Sequence, residues 1–141
     1  MTQPFLSVDL SEARRIIAAG ERKAAEIGIP YNIAVVDAGG GLVAHARMDG
    51  AWLGSVEIAI NKAWTARAFD ASTEDLARLT QSGEPGFGLN TTNDSKVVIF
   101  GGGIPIKLHG AVIGAVGASG GSVEQDVAVA RAALAGISGA K

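Results

Sequence analysis

The 141-residue chain contains no cysteine. That excludes disulfides, a thiolate nucleophile and any Cys-ligated zinc or iron–sulfur centre. Aromatic residues make up only 5% of the sequence and charged residues only 18%. A core with so few rings must be built from small side chains and closely packed backbones. Acidic and basic residues nearly balance, at a net charge of -2, so the basic surface of a nucleic-acid binder is not expected. No apolar run approaches the roughly 18 residues of a membrane span. No basic segment followed by an apolar one opens the chain, so no secretory signal is expected either. These absences point to a cytoplasmic protein with neither membrane nor nucleic acid as partner.

What is abundant is apolar and small. Hydrophobic residues reach 48%, and 20 residues are glycine. The length suits one domain over residues 1–141 that buries its own core. So much apolar sequence with so little charge points to surface covered by further subunits, hence a homo-oligomer. The glycines concentrate in the C-terminal third, at Gly101–Gly103 and from Gly110 through Gly121. Glycine weakens a strand and leaves no side chain to pack, so backbone there must approach a neighbouring element or a ligand. The Ser119-Gly120-Gly121 turn ahead of a helix also offers N–H groups to an anion.

Asp9 and Glu12 stand at the spacing of a capping box, and Ala13, Ile16, Ile17, Gly20 and Ala24 form a helical stripe that Gly28 and Pro30 end. Residues 31–37 and 42–48 read as a hairpin around Gly39–Gly41. Residues 53–69 read as a helix with a core stripe of Val56, Ala59, Ile60, Ala63 and Ala66. Its apolar residues Ile58, Trp64 and Phe69 lie outside that stripe, which predicts a helix covered on two sides. A short helix over 73–80 follows, then an irregular loop over 81–95 of a length usually tied to function. Strands are expected at about 96–100, 103–108 and 111–118, and a last helix from Ser122, with Gln125 closing a capping box. The order αββα(α)βββα, with short turns between strands, predicts an α+β fold with helices packed on a largely antiparallel sheet.

The glycine triplets lack the Lys-Ser/Thr of a P-loop and the following helix of a dinucleotide fingerprint, so they read as turns and bulges. His45 and His109 are the two histidines. Either can serve as a haem or metal ligand or a proton carrier, and His45, which shares a strand face with Arg47, is the stronger candidate. His109 falls in a hairpin turn, where exposure is expected. Arg47 either pairs with Asp49 to shape the turn or forks onto a ligand carboxylate. Lys62, with Thr65, either extends its stem along apolar surface or holds a propionate or substrate carboxylate. Arg67 is expected to pair with an acid. Glu57 and Asn61 lie one turn apart and can line one pocket or interface. Asp126 sits in the first turn of the last helix, where the dipole favours it.

Several short motifs then stand in one order: Val35-Val36-Asp37 with its glycine turn, Arg47-Met48-Asp49-Gly50-Ala51, Lys62-Ala63 with Thr65-Ala66, Gly101 through Ile106, Gly110 through Gly121, and Gln125-Asp126. Together they resemble the GlcG/HbpS-like family, the haem-degrading domain family that also supplies the C-terminal domain of PduO-type corrinoid adenosyltransferases. The resemblance runs from about Leu10 to Ile137. It implies a profilin-like fold, a homo-oligomer built as a dimer or multiple of dimers, and haem or another tetrapyrrole as ligand. Haem ligation in the family follows no single constant motif, so His45 is the axial candidate from side-chain chemistry alone. His109 stands where the family often carries an acidic or polar residue.

Two functions from different classes follow. The first is a small haem- or tetrapyrrole-binding protein, its ligand held by Arg47, Lys62 and Thr65, with Ser119 and Gly120 as a wall. The second is a cofactor-free enzyme or accessory protein of a catabolic pathway, acting on a small carboxylate metabolite. There Arg47 or Lys62 would anchor the carboxylate, the 81–95 loop would close over it, and His45, Asp49 or Glu57 would move a proton. A purely structural oligomer subunit is the third reading.

Overall fold

A computed structural model describes residues 2–137. Helix α1 (Leu10–Ile27) starts where Asp9 accepts a 2.8 Å bond from the Glu12 N–H, and ends at Gly28, whose φ of 83° only glycine adopts freely. Strands β1 (Asn32–Asp37) and β2 (Leu42–Arg47) form the expected hairpin. Helix α2 (Gly54–Phe69) and the short α3 (Thr73–Leu79) follow. Strands β3 (Gly103–Leu108) and β4 (Ala111–Ser119) lead into α4 (Val123–Leu134). Ser122 and Gln125 make the complete capping box of α4.

The four strands pair antiparallel in the order β2-β1-β4-β3. Side-chain alternation divides the sheet cleanly. Ile33 and Val35 of β1, with Val116 and Ala118 of β4, face α1 and α4 and pack on Ile16, Ile17 and Val129. Val36 and Ala115 face the other way, onto Ala63 and Ala66 of α2. The result is the predicted α+β sandwich: two helices on one face and α2 on the other.

The strand glycines earlier weighed as ligand contacts serve the α2–sheet interface. A Cβ on Gly117 would lie 2.1 Å from the Ala59 carbonyl oxygen, and one on Gly103 would lie 2.4 Å from that of Lys62. Helix backbone therefore rests directly on strand backbone, which is how a sequence poor in large side chains closes its core.

Three local expectations are corrected. Residues 96–100, expected as a strand, enter no ladder. Their backbone is held instead by Thr65, whose hydroxyl donates to the Lys96 carbonyl at 3.2 Å and accepts from the Val98 N–H at 3.0 Å. The 81–95 loop is likewise broken by two 3-10 turns, at Leu89–Thr91 and Asn93–Ser95. Helix α2 is also rotated from the expected stripe. Ala59, Ala63 and Ala66 are buried as expected, but Val56 and Ile60 are only half-buried, while Ser55, Lys62 and Thr65 are buried. Counting Lys62 and Thr65 as polar hid the true inward face, because each finds its partners inside the protein.

Candidate functional site

Three groups of candidate residues occupy three places. The first is internal. Lys62 is fully buried, and its Nζ donates to Asp126 Oδ2 at 2.7 Å and to the Ala118 carbonyl at 2.9 Å. The other carboxylate oxygen of Asp126 accepts the N–H groups of Gly120 at 3.1 Å and Gly121 at 3.0 Å. The anion anticipated at the Ser119-Gly120-Gly121 turn is thus the protein's own Asp126. Burial lowers the Lys62 pKa while Asp126 raises it in part. The Tyr31 phenol is buried beside this cluster and is pushed upward, first by burial and then by Asp126. Ser119 donates to Ser55 Oγ at 3.0 Å. A Cβ on Gly120 would meet the Pro30 carbonyl oxygen at 2.9 Å. Lys62, Ser119 and Gly120 therefore tie α2, β4 and α4 together, while Thr65 ties α2 to the segment 96–98, and all four spend their polar groups internally. Lys62 does not extend its ammonium to solvent.

The second place is the α2-facing side of β2 at the sheet edge. Asn32 is fully buried at the start of β1, and its Nδ2 donates to the Trp52 carbonyl at 3.0 Å. That bond fixes the amide, so Asn32 Oδ1 faces His45 Nε2 at 2.9 Å and accepts its proton. The ring is the Nε2–H tautomer, and Nδ1 keeps a lone pair. Burial, with the Arg47 charge added, holds the imidazole below its ordinary value of 6.5, so it is neutral at pH 7. Arg47 pairs with Asn32 across the ladder and is exposed. Among the described residues it forms no ion pair with Asp49, so the expected salt bridge of that turn is absent. Trp52 is 65% and Leu53 76% exposed beside this group. Asn32 was missed from the sequence. Its signal was a lone amide opening an otherwise apolar strand.

The third place is a groove of about 560 Å³ between α2 and the segment 90–100. Glu57 and Asn61 line it together, as their spacing suggested, opposite Asn90, Ser95 and Phe100. Neither His45, Arg47 nor Asp49 reaches this groove, so the structure separates Glu57 from the other proton-moving candidates. Another groove, of about 400 Å³, holds Arg78 and Arg131, each neutralised by an acid, Asp75 and Glu74. Arg67 pairs with Asp70 and donates to the Ala38 carbonyl, as an arginine near the core should. His109 is exposed in its turn with φ 51°. No group of three His, Cys, Asp or Glu side chains that could hold a metal ion occurs among the described residues. No helix among them is long and apolar enough to cross a membrane.

A four-stranded antiparallel sheet between α1/α4 and α2, with glycine-mediated contact between α2 and the strands, defines the class of protein. The chain belongs to the family described as haem degrading protein HbpS-like, which it matches over residues 8–135. It is 44% identical to an uncharacterised 15.0 kDa protein in the dhaT-dhaS intergenic region of Citrobacter freundii, over 94% of each chain. Its fold is similar to that of the Klebsiella pneumoniae protein ORFY, with a TM-score of 0.94 and 41% identity over 96% of this chain and 93% of that one. It is also similar to a PduOC–haem complex, with a TM-score of 0.88 and 35% identity over 95% of this chain and 99% of that one.

Proposed function

We propose that this protein binds haem or a related tetrapyrrole on the α2-facing surface of β2. The observation that carries the reading is the Trp52–Asn32–His45 relay. It leaves a neutral imidazole with a free Nδ1 lone pair on a half-open surface, oriented by a second-sphere amide as metal-ligating histidines usually are. The rest of that surface suits the group. Trp52 and Leu53 offer apolar area for a macrocycle, and the unpaired Arg47 offers a guanidinium to a propionate. A similar structure being a haem complex supports the same reading. When bound, haem would supply iron for ligand or redox chemistry. The chain's part is to present His45, hold the carboxylate at Arg47 and cover one face. Lys62 has no share in this, because its ammonium is committed to Asp126.

The reading keeps the protein a cytoplasmic homo-oligomer, with exposed Leu79 and Phe87 as apolar surface further subunits would cover. Hemin titration of the purified protein should give a saturable Soret shift, and His45→Ala should change its position and weaken binding at least tenfold. A linear, unsaturable response in the wild type would remove the proposal. A second reading, a cofactor-free enzyme acting on a small carboxylate, is favoured by the unpaired Arg47 with Asp49 two residues on. It expects a thermal shift with an organic acid that Arg47→Ala abolishes while hemin gives none.

A further inference from the structure

The groove between α2 and residues 90–100 is a different surface from β2, and its chemistry is different. Its one charged lining side chain is Glu57, an exposed carboxylate in the first turn of α2. The neutral polar groups around it, Asn61, Asn90 and Ser95, make no side-chain bond to other protein groups among the described residues. Ile58, Val97 and Phe100 supply an apolar wall.

Among the described residues no cationic side chain pairs with this carboxylate. Lys96 lies between two lining residues, yet its ammonium turns away to sit 4.4 Å over the Trp64 ring. Lys62 Nζ is 5.0 Å from the Phe100 ring but is buried and neutralised by Asp126. The wall itself is held in an unusual shape. Asn93, Asp94 and Ser95 take φ of 52°, 55° and 60°, three successive left-handed residues with no glycine among them. Non-glycine residues in that region cost on the order of 1 kcal/mol or more each, and such backbone persists where surrounding structure enforces it. Here Thr65 enforces it from below by clamping Lys96 and Val98.

We propose that this groove binds a small amphiphilic organic cation, with its ammonium on Glu57 and its hydrocarbon body on Ile58, Val97 and Phe100. About 560 Å³ lies within the usual range for a small-molecule site, roughly 300–1,000 Å³. An unpaired carboxylate among neutral amides and hydroxyls attracts a donor-bearing cation and repels a carboxylate, so the groove discriminates by sign. This goes beyond tetrapyrrole binding and involves none of the same residues.

Three near-isosteric probes test it: 2-phenylethylamine, 2-phenylethanol and phenylacetate, followed by saturation-transfer NMR and calorimetry. The amine should bind saturably and at least tenfold more tightly than the alcohol, about 1.4 kcal/mol. Phenylacetate should bind weakest. Glu57→Gln should erase the preference for the amine while leaving the melting temperature and the hemin titration unchanged, and Asn61→Ala should weaken the amine alone. The proposal is overturned if phenylacetate binds as well as the amine, if Glu57→Gln keeps the preference, or if no probe saturates in the millimolar range. Failure of the hemin titration bears only on the β2 surface, and failure here bears only on the groove.

Discussion

Lys62 illustrates what a single residue can conceal. In the sequence it reads as a lysine with an aliphatic stem beside Ile58 and Phe69, free to reach water or an anion. In the fold both oxygens of Asp126 are used, one by Lys62 and one by the Gly120 and Gly121 amides. Nothing local connects Lys62 to a partner 64 residues away, so the pair was not legible. Removing either half strands the other charge in the interior. Lys62→Met or Asp126→Asn should each cost about 3–5 kcal/mol in urea unfolding, and Lys62→Met with Asp126→Leu should recover much of it. Tyr31 adds a pH signature. Its folded pKa lies above the ordinary 10.0, so its stabilisation is full below that pH and is lost as pH rises above it. Melting curves should fall above about pH 10 in the wild type and fall less in Tyr31→Phe. His45 acts with the opposite sign. Its folded pKa lies below 6.5, so its contribution is present above that pH and declines as pH drops through 6.5.

At the scale of elements, the caps were readable because their chemistry is local. Asp9, Gly28 and Ser122 all act where their residue types indicate. The segment 96–100 was not readable, because its hydrogen bonds go to the side chain of Thr65 in place of a neighbouring strand. Thr65→Val should keep the helix and speed hydrogen exchange at the Val98 amide, at a cost of about 1–2 kcal/mol. The rotation of α2 has the same root, since periodicity weighs side-chain type and the inward face here includes a paired lysine and a bonded threonine. The glycines of β4 and β3 were legible as sites of close approach, though not in what approaches. Gly117→Ala would drive a methyl into the Ala59 carbonyl and should destabilise by at least about 1–3 kcal/mol. Gly54→Ala, at an open position of α2, should change little.

For the whole molecule, the antiparallel sheet with helices on both faces followed from the order of elements and the short turns between strands. The family followed from its glycine and Arg-Met-Asp-Gly motifs and holds over residues 8–135. The grouping of the candidate residues in space was legible in part. His45 and Arg47 do share a surface, and Glu57 and Asn61 do share a groove. Lys62, Thr65, Ser119 and Gly120 were grouped with them because a polar or glycine residue near apolar ones looks the same in sequence whether it meets a ligand or a buried partner. The central claim is therefore one of place: a tetrapyrrole meets the β2 surface and leaves the Lys62–Asp126 interior untouched. Paramagnetic broadening of backbone amides on adding ferric hemin to ¹⁵N-labelled protein tests it most directly. Broadening centred on residues 32, 45–47 and 52–53, and fading across the sheet toward the far strand β3, is the expected result. Broadening centred on the α2 groove, or spread evenly over the molecule, would contradict it.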